Sequence, residues 1–162
     1  MYTRRTDTNI VSNHSQSYQT LYNREYYIEL VPPTKEFREK LNGIVPDYNH
    51  DTPRGMITIR KLDKDRYKMN ITAQGLPPNS LFSFDNIISM TPYTKSPLID
   101  YGFNGFTTNQ YGDAVRIINI KTKPGLMILV NYHTGDGLYN TDGTTSIVYP
   151  AILAGLLPEN LV

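Results

Sequence analysis

The chain contains no cysteine and no tryptophan. Without cysteine it can form neither disulfides nor thiolate zinc sites. That absence suits the cytosol and many bacterial surface proteins alike, so it leaves the compartment open. Charge is also scarce. Only 19% of residues are charged and the net charge is +1, against a usual charged share of about a quarter. Acidic and basic residues interleave, as in Lys61-Leu62-Asp63-Lys64-Asp65-Arg66. A nucleic-acid partner, which needs a concentrated basic patch, is therefore not expected. Long apolar runs are missing too. No stretch approaches the roughly 20 residues of a membrane-spanning helix, so membrane insertion is not expected. The N-terminus stays polar through Gln19, unlike the apolar core of a secretory signal.

What is present is aromatic and aliphatic residue in short alternating runs. Thirteen tyrosines and five phenylalanines accompany a hydrophobic share of 39% in 162 residues. That suits one domain with its own core. Residues 1–24 are rich in Ser, Thr, Asn and Gln, and read as a flexible polar arm that can order on a partner. Residues 25–162 read as a single domain.

The clearest pattern is a hairpin over residues 56–74. Ile57 and Ile59 share one face of its first strand, and Asp63-Lys64-Asp65 turns the chain. In the second strand Tyr67, Met69, Ile71 and Ala73 alternate with Arg66, Lys68, Asn70, Thr72 and Gln74. Period two over nine residues predicts a half-buried antiparallel strand with a pinned register. The polar face is solvated or partner-facing. Before the hairpin, residues 26–31 predict a strand, and Thr34 caps a short helix near residues 34–42, with Phe37 and Leu41 on one face. After it, further strands are predicted at 81–90, around Ile99, Tyr101 and Phe103, at 114–121, at 126–130 and at 146–153. The mixed pattern at 114–121 predicts a bulge or burial of both faces. The run 126–130 is apolar on both faces and belongs in mid-sheet. Pro150 argues for an edge or a bend. The expected fold is all-β: an antiparallel β-sandwich of about seven or eight strands with one short helix.

Two segments carry a likeness. One runs from Met69 to Phe84 (MNITAQGLPPNSLFSF). The other runs from Phe106 to Ala114 (FTTNQYGDA) and leads into an apolar strand. Together they resemble the immunoglobulin-like and transthyretin-like sandwich domains of bacterial surface proteins, over about residues 55–132. The resemblance implies a binding or structural module rather than a catalyst.

Groups able to carry chemistry are few. His14, His50 and His133 show no ligand spacing, although His50, Asp51 and His133 would form a metal site if their loops met. The Gly- and Asp-rich loop 133–145 offers Asp136, Asn140 and Asp142 as oxygen ligands for Ca²⁺, but in no EF-hand order. The same residues are ordinary turn formers. No Gly-x-Ser-x-Gly motif occurs, and no serine is paired by sequence with a base. A hydrolase would need carboxylates such as Asp85 or Asp100 facing Asp113. Tyr93, Tyr101, Tyr111, Tyr132 and Tyr139 lie on or near loops, where rings stack on sugars or anchor proteins, unless they fill the core edge.

Three functions follow in order. The first is a non-enzymatic structural, assembly or interaction protein that associates with itself or a protein partner. The arm and the apolar run Ala151–Leu157 would serve such contacts. The second is a carbohydrate- or other ligand-binding module using the tyrosines and the 133–145 loop, with calcium as its one possible cofactor. A hydrolase comes third. The compartment is not fixed, and a cell or particle surface is compatible.

Overall fold

The structure is a computed structural model that describes residues 17–19, 25–41, 48–90, 93–99, 102–133 and 150–161. Among these residues ten strands and one helix run in the order β1 (Ser17–Gln19), β2 (Tyr26–Leu30), α1 (Lys35–Leu41), β3 (Arg54–Asp63), β4 (Arg66–Gln74), β5 (Leu81–Met90), β6 (Tyr93–Pro97), β7 (Gly105–Thr107), β8 (Ala114–Lys121), β9 (Met127–Tyr132) and β10 (Ala151–Leu156). They form two antiparallel sheets. One has the order β1-β2-β3-β4-β8; the other is β10-β9-β5-β6, with β7 also paired to β5. The expected all-β sandwich with one short helix is present.

The count exceeds the expected seven or eight because β1, β6 and β7 are short. Three residues of the stretch read as an arm pair with β2, Ser17 opposite Ile28. The strand expected around Ile99 to Phe103 is displaced. β6 ends at Pro97 and β7 begins at Gly105. Leu98, next to that proline, sinks wholly into the core. Its N–H is capped by Asn104 Oδ1 at 3.1 Å.

The 56–74 hairpin forms as read. Ile57 lies opposite Ile71 and Ile59 opposite Met69. In β4 Tyr67, Met69, Ile71 and Ala73 are all buried, while the alternate residues are exposed or half-buried. β8 takes the same parity, with Ile71 opposite Arg116 and Asn70 opposite Ile117. The facing sheet contributes Phe82, Phe84, Ile128 and Val130 to the same core. Phe82 stacks on Phe106 at 5.2 Å and tilts against Tyr132 at 5.5 Å, a dense aromatic centre.

The sheets are tied at both edges. Leu30 pairs with Gly55 in the first sheet. The next residue, Val31, exchanges backbone bonds of 3.0 and 2.7 Å with Ala154 of β10. Gly155 permits this crossing, since a Cβ there would lie 2.6 Å from Leu30 Cδ2. At the other edge Lys121 N–H donates to Leu98 O at 2.7 Å. The buried Asn86 adds a clasp, donating to Lys121 O at 3.1 Å and accepting from Thr122 Oγ1 at 2.7 Å.

Helix α1 begins as its cap predicts, with Phe37 N–H donating to Thr34 Oγ1 at 3.3 Å. Seven residues cannot hold a helix alone. It docks Phe37 on the outside of the second sheet, in a smaller cluster with Val31, Ile87, Met127, Leu129, Ala151 and Ala154.

The register makes a direct prediction. Ile71→Ala should lower unfolding stability by about 2–5 kcal/mol in chemical denaturation. Lys68→Ala, three residues away on the outer face, should change it by less than about 0.5 kcal/mol.

Candidate functional site

Two surface regions emerge from this frame, one on the outside of each sheet. The first surrounds β8. Val115 and Ile117 project outward, 72% and 58% exposed. This overturns the expected bulge or two-sided burial: β8 pairs with β4 without a shift, and its second apolar row faces away from the core. Phe103 and Tyr111 stand nearby, 44% and 75% exposed. Arg116, on the inner parity of β8, reaches past the strand edge. It donates to Phe103 O at 2.6 Å and to Gly105 O, and lies 5.1 Å from the Phe103 ring centre. Tyr111 is presented by a turn that Asn109 holds. The Asn109 Oδ1 accepts from Tyr111 N–H at 2.9 Å and from Asp113 N–H at 3.0 Å.

Across β4 the same outer face has two shallow depressions. One, of about 300 Å³, includes Thr58, Lys68, Asn70 and Ile117; the other, of about 400 Å³, includes Met56, Thr72 and Val115. Asn70 Oδ1 is shut from solvent there and has no hydrogen-bond partner among the described residues. An unpaired acceptor of this kind costs about 1–3 kcal/mol.

The second region is polar and lies outside the second sheet. Ser83 and Asp85 alternate along β5, and Ser83 sits opposite Asn131 of β9. His133 follows two residues later on the same face, its N–H bonded to Leu81 O at 2.8 Å. Ser83 Oγ and His133 Nε2 share a hydrogen bond. Asp85 Oδ2 receives Lys95 Nζ at 3.0 Å and Asn131 Nδ2 at 2.5 Å. Burial pushes His133 below the ordinary imidazole range; Lys95 adds to that, and Asp85 opposes it. The neutral ring suits a Ser83 hydroxyl that donates to it.

The expected site residues fall unevenly. Tyr111 is an exposed turn residue, as read. Tyr132 is not a loop residue: it lies in β9, 5% exposed, and packs on Phe82. Tyr93 opens β6, but its side chain lies outside the described residues. Tyr101, Tyr139, Asp136, Asn140, Asp142 and Asp100 also lie outside them. His50 and Asp51 gather near α1, where Arg38 Nη1 donates to His50 O at 3.2 Å and Arg38 Nη2 pairs with Asp51 at 3.3 Å. His133 belongs to the β5–β9 cluster instead. Among the described residues, no three His, Asp or Glu side chains come together to hold a metal. Asp85 and Asp113 do not face each other across neighbouring strands. Asp85 lies in the second sheet and Asp113 leads into β8 of the first.

The Ser83–His133 pair joins residues 50 apart, which no short motif could reveal. The available signal was weaker: polar residues at alternate positions of otherwise apolar strands, Ser83 and Asp85, then Asn131 and His133. No protein-family model matches the chain, and no curated protein sequence matches it.

A pH dependence follows from His133. The unfolded imidazole, near about 6.5, takes up its proton before the folded one does. The contribution to stability is full above that pH and is lost as pH falls toward the lowered folded value. The melting temperature should drop between pH 7.5 and 5.5, and His133→Gln should remove part of that drop in parallel thermal scans.

Proposed function

We propose that this chain is a non-enzymatic structural or assembly protein, a β-sandwich scaffold that meets a second copy or another protein through the outer face around β8. One observation carries the reading. Four of the six large apolar residues exposed on the described surface (Phe103, Tyr111, Val115 and Ile117) lie on or beside this one strand. Scattered apolar residues are normal on a surface, but a local concentration marks a contact site. Full burial of an aliphatic side chain is worth about 1.5–3 kcal/mol, so Val115 and Ile117 alone offer a useful anchor. The buried Asn70 Oδ1 beside Ile117, unpaired among the described residues, supports the same reading. So does the resemblance to sandwich domains of bacterial surface proteins, as a matter of strand and turn order.

Sedimentation velocity over a concentration series is the test. The native chain should self-associate as concentration rises. The double variant Val115→Lys, Ile117→Lys should sediment as a monomer with an unchanged melting temperature. A native chain that stays monomeric throughout would overturn self-association.

A second reading, a carbohydrate-binding module with possible calcium, is favoured by Tyr111. Its ring is 75% exposed on a turn braced by two Asn109 bonds, so little ordering is needed for a sugar face to stack on it. Tyr111→Ala should then abolish signals on a glycan array that the native chain produces.

A further inference from the structure

The polar cluster on the outside of the second sheet lies apart from β8 and Tyr111. We infer that Ser83, Asp85, Lys95, Asn131 and His133 form a binding site for a neutral polyhydroxylated ligand, a saccharide or similar polyol.

The first argument is unused hydrogen-bonding capacity in a fixed frame. Asn131 is 95% buried by its 5% exposure. A primary amide carries two donor hydrogens and a carbonyl oxygen with two lone pairs. Asn131 makes a single side-chain bond among the described residues, its donation to Asp85. Its Oδ1 and second N–H make no bond among the described residues. Both contacts to Asp85 fall on Oδ2, so Oδ1 is an available acceptor. A ligand bearing adjacent hydroxyls supplies what is missing, since each hydroxyl both donates and accepts.

The second argument is charge. Lys95 Nζ sits 3.0 Å from the Asp85 carboxylate, with the two side chains 47% and 14% exposed. A cation approaching Asp85 meets the ammonium, and an anion approaching Lys95 meets the carboxylate. A neutral ligand meets neither penalty. It gains a charge-assisted bond from each partner, the stronger kind of hydrogen bond.

The third argument is rigidity. Ser83, Asp85, Lys95 and Asn131 stand on paired strands, and His133 directly follows β9 with its N–H bonded to Leu81 O. Ser83 is opposite Asn131, Asp85 opposite Leu129, and Lys95 opposite Ile87. The apolar half of the same face is fixed beneath α1 by Ile87, Leu129 and Met127. Little conformational freedom is lost when a ligand binds such a frame.

The test is amide-resolved NMR titration of the full chain with neutral mono- and disaccharides, each taken to its solubility limit. Inorganic phosphate and calcium chloride serve as the charged probes. At least one saccharide should give saturable shifts at Ser83, Asp85 and Asn131. Asp85→Asn and Asn131→Ala should each weaken that binding at least tenfold. Tyr111→Ala should leave it unchanged, which separates this site from the tyrosine reading. Circular dichroism confirms folding, and Asp85→Asn preserves side-chain size should Asn131→Ala unfold. No saturable shift with any saccharide would overturn the proposal. So would saturation by phosphate or calcium alone, or saccharide shifts at these residues that survive both substitutions.

Discussion

The register between β4 and its two neighbours sets the parity of the whole first sheet. Side chains alternate across a strand, and paired residues share a face. Once Met69 and Ile71 point inward, Ile59 and Ile57 must do so on one side. On the other side Ile118 and Arg116 must. Val115 and Ile117 are then forced outward whatever their hydrophobicity. The exposed row is thus a consequence of a core decision made one strand away. A slip of one residue would bury Arg66 and Lys68 and expose Tyr67 and Met69, a far larger cost. The sheet keeps its register, and its outer face keeps an apolar strip that nothing in this chain's core requires.

The second sheet divides its outer face differently. One half is covered by α1 through Phe37 and is apolar. The other half carries Ser83, Asp85 and Asn131, with His133 just beyond, on the same two strands that supply Phe82, Phe84, Val130 and Tyr132 to the core. The aromatic inner face makes these strands stiff, and the polar outer face uses that stiffness. The buried Asn86 shows the other use of an amide. With both ends bonded to Lys121 O and Thr122 Oγ1 it locks an edge. Asn131, on the neighbouring strand, is nearly as buried yet its side chain makes one bond among the described residues.

Local pattern and long-range pairing divide what could be read in advance. The β3–β4 hairpin, the Thr34 cap and the central place of β9 were legible because neighbours in sequence determine them. Gly75 and Gly112, with φ of 71° and 81°, mark turns that their sequences announce. β6 and β7 were not legible. Pro92 and Pro97 disguise β6, and β7 is three residues long. β8 was misjudged for a different reason. Hydrophobicity normally implies burial, and the sequence around Val115 and Ile117 says nothing about which face a partner strand will cover. Tyr132 adjoins a loop in sequence, and pairing opposite Phe82 makes it core. The polar cluster needs two strands to be brought side by side, so it exists only after the fold does.

The bridge between Val31 and Ala154 has a consequence for how the chain is made. Residue 31 must wait for its partner, which is translated 123 positions later. At about 5–20 residues per second, that wait is on the order of ten seconds. Within it, β9 once made has no β10 beside it for about 1–5 seconds, and Met127 and Leu129 lack part of their cover. A nascent chain of this protein therefore passes through a period with one sheet edge unpaired. Whatever holds ribosome-bound chains apart guards that edge until residue 156 emerges.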